Sequence, residues 1–87
     1  MLAVVTEVEP GAPHLQVPAS VVRDAFGLTG REAEVASLLA EGASLATISR
    51  RLRVEPATAR THLKRIFEKT HTGRQTELVA LLSRLRL

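Results

Sequence analysis

Three side chains that donate hydrogen bonds, Arg60, Thr61 and Lys64, stand at positions i, i+1 and i+4 of one segment. On a helix this spacing places all three on one surface. The Arg and Lys cations match the O6 and N7 acceptors of guanine, and a Thr methyl or hydroxyl group suits thymine or a phosphate. The chemistry that this surface favours is therefore recognition by hydrogen bonding and charge.

Positive charge is concentrated around these residues. Residues 50–74 contain eight Lys and Arg residues and two Glu, whereas residues 1–28 contain one Arg and three acidic residues. The whole chain of 87 residues carries a net charge of only +3. Such a distribution favours a polyanionic partner. The alternative is a helix face that is basic only because it lies in solvent.

Several other classes of chemistry lack the residues they need. There is no Cys, which removes disulfides and thiolate metal sites, and Phe26 and Phe67 are the only aromatic residues available for stacking on single-stranded bases. The three histidines, His14, His62 and His71, lack metal-ligand spacing. With no catalytic triad pattern and no phosphate-binding glycine loop, we predict no enzyme activity, metal, cofactor or small-molecule ligand.

Membrane attachment is also not indicated. No apolar run approaches the roughly 20 residues that span a bilayer, and the first residues lack a basic segment followed by an apolar one, as a signal peptide requires. We therefore expect a cytoplasmic protein.

The Arg60 segment is predicted to be the second of two short helices joined by a tight turn. Pro56 suits the first position of a helix over 56–69, whose apolar side carries Ala59, Leu63, Ile66 and Phe67. A shorter helix over 44–52 begins at a Ser44 cap. This arrangement is typical of a helix-turn-helix, and the competing interpretation is an ordinary helix hairpin.

The remaining segments must hold this unit in place. A T-x-x-E capping box at Thr29 starts a helix that Gly42 ends, and a last helix is predicted over 74–85. Residues 19–26 are predicted to form a short helix ended by Gly27, after a possible strand over 2–8 and a proline-rich linker over 9–18. We predict an all-α, four-helix helix-turn-helix domain without a wing over 28–87. Residues 1–27 are then an extension that looks like the tail of an upstream sensory domain, either because the chain is a piece of a longer regulator or because the protein is a stand-alone one.

Four segments together resemble the LuxR/FixJ-type (NarL-like) DNA-binding domain of bacterial transcription regulators. They read LTGREAEVASLLAEG over 28–42, ISRRL over 48–52, ATARTHLKRIFEKT over 57–70 and RQTELV over 74–79. The resemblance covers about residues 26–87. It implies a four-helix unit whose third helix enters the major groove of double-stranded DNA, usually as a dimer, and it makes RNA polymerase a candidate partner.

The resemblance also assigns roles by position. Arg60, Thr61 and Lys64 match the places of base contacts. The implied backbone-contacting or positioning residues are Ser44, Thr58, His62, Arg65 and Lys69. The implied interface of a weak homodimer is on the last helix and consists of Leu78, Leu81, Leu82 and Leu85. Of these, Leu78 and Leu82 are expected to pack into the core, which leaves Leu81 and Leu85, with Val79 and Leu87, for the interface. The alternative function is a protein-interaction or dimerisation module that uses this leucine helix, with its basic face on an acidic partner.

The chain departs from the family pattern at four places, one of them the turn at 71–73, where His71 and Gly73 are interchanged relative to the expected order. Gly30 replaces the usual Pro after the capping Thr, and Arg53 replaces a Gly in the turn, which costs about 1 kcal/mol if that residue has a positive φ. Glu55 stands where Ser or Thr caps the recognition helix, so we expect weaker binding than in a Ser-capped version.

Overall fold

The structure, a computed structural model, describes residues 17–85, which form five α-helices and one 3-10 turn. The elements are α1 (Ala19–Phe26), α2 (Gly30–Ala40), α3 (Leu45–Leu52), α4 (Pro56–Thr70), α5 (Gln75–Leu82) and a 3-10 turn (Ser83–Leu85). Within these residues there is no strand, so the all-α prediction is confirmed. The strand predicted over 2–8 and most of the linker over 9–18 lie outside the described residues.

Helix α2 is the centre of the fold, because it packs against each of the other four helices. Its apolar side chains, with Val35, Ala36 and Leu39 fully buried, meet Ile48 from α3 and Ile66 from α4. The core is built from aliphatic residues, as expected in a chain with two Phe and no Trp or Tyr. The two helices of the predicted helix-turn-helix are therefore held by one common support.

The core extends into the segment that precedes residue 28. Val22 of α1 is fully buried and Val17 is 2% exposed. The hydroxyl of Ser37 on α2 donates a hydrogen bond of 2.6 Å to the carbonyl oxygen of Val17. Helix α1 and Val17 thus pack as part of the same core, and the existence of an upstream domain stays a prediction.

The start of α2 has the predicted capping box. The backbone N–H of Glu32 donates to Oγ1 of Thr29 at 3.1 Å, and the Thr29 N–H donates to Oε1 of Glu32 at 3.0 Å. After the helix, Gly42 has a φ of 97°, which lets the N–H of Ala43 reach the carbonyl of Leu38 at 3.1 Å. Both predicted ends of α2 are confirmed.

The last helix differs from the prediction in two ways. It regularly covers Gln75–Leu82 and tightens into the 3-10 turn, instead of continuing as one helix to residue 85. Leu78 and Leu82 have no exposed surface and lie in the core, as the spacing of the leucines had indicated, so these two residues drop out of the four-leucine interface that the resemblance implied. A stripe at three-and-four spacing is also what a single core-facing side requires. Leu81 and Leu85 are half-buried.

Candidate nucleic-acid interface

Helix α3 starts at the predicted Ser44 cap. The Thr47 N–H donates to Oγ of Ser44 at 3.1 Å, and the two hydroxyl groups are also 3.1 Å apart. Ile48 is fully buried beneath the helix, and α3 packs against both α2 and α4. Because α3 contacts both neighbouring helices, it fixes the orientation in which α4 starts.

The turn between α3 and α4 depends on a left-handed residue. Arg53 has φ 58° and ψ 47°, and this lets the N–H of Val54 bond the carbonyl of Ser49 at 3.0 Å. Arg53 therefore has the positive φ at which replacing the usual Gly by Arg is expected to cost stability. The turn carries the cost of a side chain in the left-handed region.

Helix α4 begins without a side-chain cap. Glu55 is extended, at φ −67° and ψ 149°, and its carboxylate makes no capping hydrogen bond. Pro56 occupies the first turn, where its missing N–H costs nothing. Glu55 thus supplies only its carbonyl, which accepts from the N–H of Ala59 at 3.0 Å.

The two long faces of α4 differ in the way the sequence predicted. Ala59 and Ile66 are fully buried, while Leu63 and Phe67 are half-buried against the core. The other face carries Arg60, Thr61 and Lys64, all exposed, beside four further exposed residues, Ala57, Thr58, Arg65 and Glu68. The hydroxyl of Thr61 donates to the carbonyl of Ala57 at 3.1 Å, so its oxygen remains free only to accept a hydrogen bond.

The five residues predicted to contact or position the DNA backbone fall into different surroundings. Ser44, Thr58 and Arg65 are exposed. His62 is half-buried, and its Nδ1 lies inside without a hydrogen-bond partner in the part of the chain that the structure describes. Lys69 has a partner that local sequence reasoning did not identify.

The Lys69 ammonium forms an ion pair with the buried carboxylate of Glu32. Its Nζ lies 2.8 Å from Oε1 of Glu32, the same oxygen that accepts the Thr29 N–H. The Glu32 side chain is 2% exposed and that of Lys69 is 37% exposed. The pair therefore joins the C-terminal end of α4 to the first turn of α2. Because the two residues are 37 positions apart, no local pattern could have predicted it.

The ionisation of Glu32 reflects two opposing effects. Burial raises the pKa of its carboxyl group, because a charge is disfavoured away from water. The hydrogen bond and charge of Lys69, together with the hydrogen bonds from Thr29, lower the pKa by more, so that it lies below the ordinary value of 4.5. Glu32 is therefore held as an anion at neutral pH.

Residues 27–82 match a family described as bacterial regulatory proteins, luxR family. The chain belongs to this family. Its helices α3 and α4 are the helix-turn-helix of the family's DNA-binding domain, so the resemblance identified from the sequence is confirmed. The family is one of transcription regulators and not a class of enzymes.

The similar curated proteins are regulators as well. One is a monoamine regulon transcriptional regulator from Klebsiella aerogenes, 43% identical over 53 residues, which are 61% of this chain and 23% of that protein. Another is a probable transcriptional regulatory protein NarL from Mycobacterium tuberculosis (strain CDC 1551 / Oshkosh), 38% identical over 60 residues, which are 69% of this chain and 28% of that protein. The luxR-family chain thus spans about a quarter of the length of these relatives. No solved structure gives a significant match.

The end of α4 in this luxR-family domain is a second left-handed turn. His71 has φ 58° and ψ 40°, and the N–H of Thr72 bonds the carbonyl of Phe67 at 3.0 Å. The Thr70 hydroxyl donates to the carbonyl of Ile66 at 2.7 Å and lies 2.9 Å from the Thr72 hydroxyl. Several local bonds therefore fix this end of α4.

Two other features are absent from residues 17–85. No group of three His, Cys, Asp or Glu side chains in that range is arranged to hold a metal ion. None of the helices in the same range is long and apolar enough to cross a membrane.

Proposed function

We propose that this luxR-family domain binds double-stranded DNA sequence-specifically and regulates transcription, with α4 lying in the major groove. One observation carries the proposal. Helix α4 buries Ala59 and Ile66 in the core while Arg60, Thr61 and Lys64 are exposed on its opposite face. A helix anchored on one side and exposed on the other can enter a groove without unfolding any part of the core.

Base contacts are assigned to the three exposed side chains in the middle of α4. The Arg60 guanidinium presents paired donors to O6 and N7 of guanine, and Lys64, one turn further on, presents an ammonium group to the same kind of acceptor. The Thr61 hydroxyl donates to the Ala57 carbonyl and can still accept a hydrogen bond, while its methyl group is assigned to contact with the thymine methyl. Each well-formed bidentate contact contributes about 1–3 kcal/mol of discrimination between bases.

Phosphate contacts are assigned to side chains around this central group. Thr58 and Arg65 are exposed on α4 and Ser44 is exposed at the start of α3. The Lys69 ammonium is bound to Glu32, which favours a positioning role for it over a free phosphate contact. His62 is assigned to positioning as well, since its ring is partly enclosed. These contacts fix the register of α4 on the duplex without selecting a sequence.

We also propose that the domain acts on DNA as a homodimer, with RNA polymerase as a further partner, in the cytoplasm where the chromosome lies. Leu81 and Leu85, both half-buried, are the members of the leucine stripe left to contact a second copy. The rival function, a protein-interaction module on this helix, has less support. In the described part of the chain the exposed large hydrophobic residue is Val21, on α1.

Selection of bound sites from a random duplex library tests the proposal. We expect a defined consensus, and a palindromic one supports binding as a dimer. The variant Arg60→Ala should lose preference at one base position, at a cost of about 1–3 kcal/mol. The matched control is Arg23→Ala on α1, where Arg23 is paired with Asp24 at 3.2 Å. This variant should leave the base preference unchanged.

Two results would contradict the assignment. If no sequence is enriched and no duplex survives competition by non-specific DNA, specific binding is refuted. If Arg60→Ala weakens binding to all duplexes equally, Arg60 contacts phosphate instead of bases.

A further inference from the structure

Backbone strain in the described residues is concentrated at the helix-turn-helix. Helices α1 and α2 are each followed by a glycine with positive φ, Gly27 at 67° and Gly42 at 97°. Helices α3 and α4 are instead followed by Arg53 and His71, both at φ 58°. Glycine takes this conformation at no steric cost, whereas a side chain with a Cβ atom does not. Strained residues of this kind cluster at functional sites.

We propose that Arg53 is an additional phosphate-contacting residue, placed by its left-handed conformation beside the N-terminal end of the recognition helix. The inference rests on the proposed DNA binding and adds a contact to it. Its first support is that the conformation itself does not call for Arg. The bond from the Val54 N–H to the Ser49 carbonyl at 3.0 Å needs only the left-handed backbone, which Gly provides best.

The second support is that the Arg53 side chain has no structural use within residues 17–85. It is exposed, and no hydrogen bond or ion pair joins its guanidinium to any of those residues. Arg50 and Arg51 already stand in the last turn of α3, where cations suit the helix dipole. A third cation, two positions after Arg51, adds little to that effect, so its charge is available to a ligand.

The third support is position. Arg53 precedes Pro56, the first residue of α4, by three residues, so their Cα atoms are at most about 11 Å apart. The major groove is about 12 Å wide and bounded on both sides by phosphates. An exposed Arg beside the N-terminal end of a helix in the groove is therefore within reach of a bounding strand. Arg50 and Arg51, also exposed, make the same turn basic.

The experiment compares Arg53→Gly with a matched control, His71→Gly. The two residues share one backbone conformation, with ψ of 47° and 40°, but His71 ends α4 far from Pro56. Melting temperature is measured for each variant. Affinity for a mixed-sequence DNA duplex is measured by fluorescence anisotropy between about 50 and 200 mM salt.

Both variants should raise the melting temperature by about 4 °C, because each removes the strain of a left-handed side chain. Only Arg53→Gly should weaken DNA binding. Loss of one phosphate contact lowers the salt slope by about 0.9, which corresponds to a roughly fivefold loss of affinity at 0.15 M salt. Arg53→Lys should retain most of the salt slope, because it keeps the charge.

Arg53→Gly with the affinity and salt slope of the wild type would overturn the inference while leaving the proposed function intact. Equal weakening by His71→Gly would also overturn it, because the loss would then follow from the backbone. If the wild-type chain binds no duplex at low salt, the proposed function itself fails and the Arg53 contact fails with it.

Discussion

Replacing Lys69 with Met tests whether the ion pair with Glu32 holds α4 on the core. The change keeps most of the aliphatic stem but leaves the buried Glu32 carboxylate, 2% exposed, without its cation. Removing one partner of a fully buried pair costs about 3–5 kcal/mol, while an exposed pair contributes about 0.2–1 kcal/mol. Since Lys69 is 37% exposed, solvent screens the pair from one side, and we expect a loss of about 2 kcal/mol.

Glu32→Gln separates the charge from the hydrogen bond. In the wild type the Thr29 nitrogen lies 3.0 Å from Oε1 of Glu32. The amide oxygen of Gln can still accept this hydrogen bond, and the variant leaves no buried charge unpaired. We expect a loss of about 1 kcal/mol for this variant. In the Glu32→Gln background, Lys69→Met should cost less than about 0.5 kcal/mol, because the group it would have stranded is gone.

Urea unfolding of the wild type, both single variants and the double variant at pH 7 gives the coupling free energy. The matched control is Arg31→Met, which removes the exposed pair with Glu34 at 3.0 Å and should cost about 0.3 kcal/mol. Single-variant losses that add within about 0.5 kcal/mol in the double variant would refute the reasoning, since independent residues cannot share a buried charge.

Acid should remove the same contribution. The pKa of Glu32 is lowered on folding from 4.5, so its ionised form stabilises the fold above that value, and the contribution is lost as pH falls through the folded-state pKa. The gap in unfolding free energy between wild type and Glu32→Gln should therefore close below about pH 4.5. A gap that stays constant down to low pH would show that the Glu32 charge is not its source.

Two further predictions concern helix ends. Glu55→Ser should stabilise α4 by about 1 kcal/mol, because Glu55 makes no capping hydrogen bond. The DNA affinity at moderate salt should also rise, because a negative charge near the DNA is lost. An unchanged or lower affinity would contradict this expectation. Gly30→Pro should stabilise the domain by about 0.4–1 kcal/mol, because the first helical position needs no N–H and Thr29 before it is already extended at ψ 165°. Its contrast is Gly27→Ala, which should lose about 1 kcal/mol because φ is 67° there, and urea unfolding measures both.

The sequence predicted best those features that depend on a few neighbouring residues. The capping box at Thr29 and the cap at Ser44 are local hydrogen bonds between residues three apart, so their patterns are visible in the chain. The apolar side of α4 follows from helical spacing in the same way. The left-handed conformation of Arg53 was harder to predict from the sequence, because an Arg side chain disfavours that conformation.

Features that depend on distant residues could not be predicted. Nothing near Lys69 indicates that Glu32 lies within 2.8 Å of it, and nothing near Val17 indicates that Ser37 binds its carbonyl. The leucines of the last helix show the related limit. Spacing indicates one apolar face, but only the packing decides whether that face meets the chain's own core, as Leu78 and Leu82 do.

The two ends of α4 are built for different purposes. Its C-terminal end is tied down by the Lys69 ion pair and the Thr70 hydroxyl bond to Ile66, whereas its N-terminal end follows a strained turn and has no side-chain cap. Arg60 and Thr61 lie in the N-terminal half. Substitutions at the C-terminal end should therefore change the free energy of unfolding with little effect on base preference. Substitutions of the exposed Arg60 and Thr61 should change DNA affinity by more than they change stability, because the ligand and not the core is their expected partner.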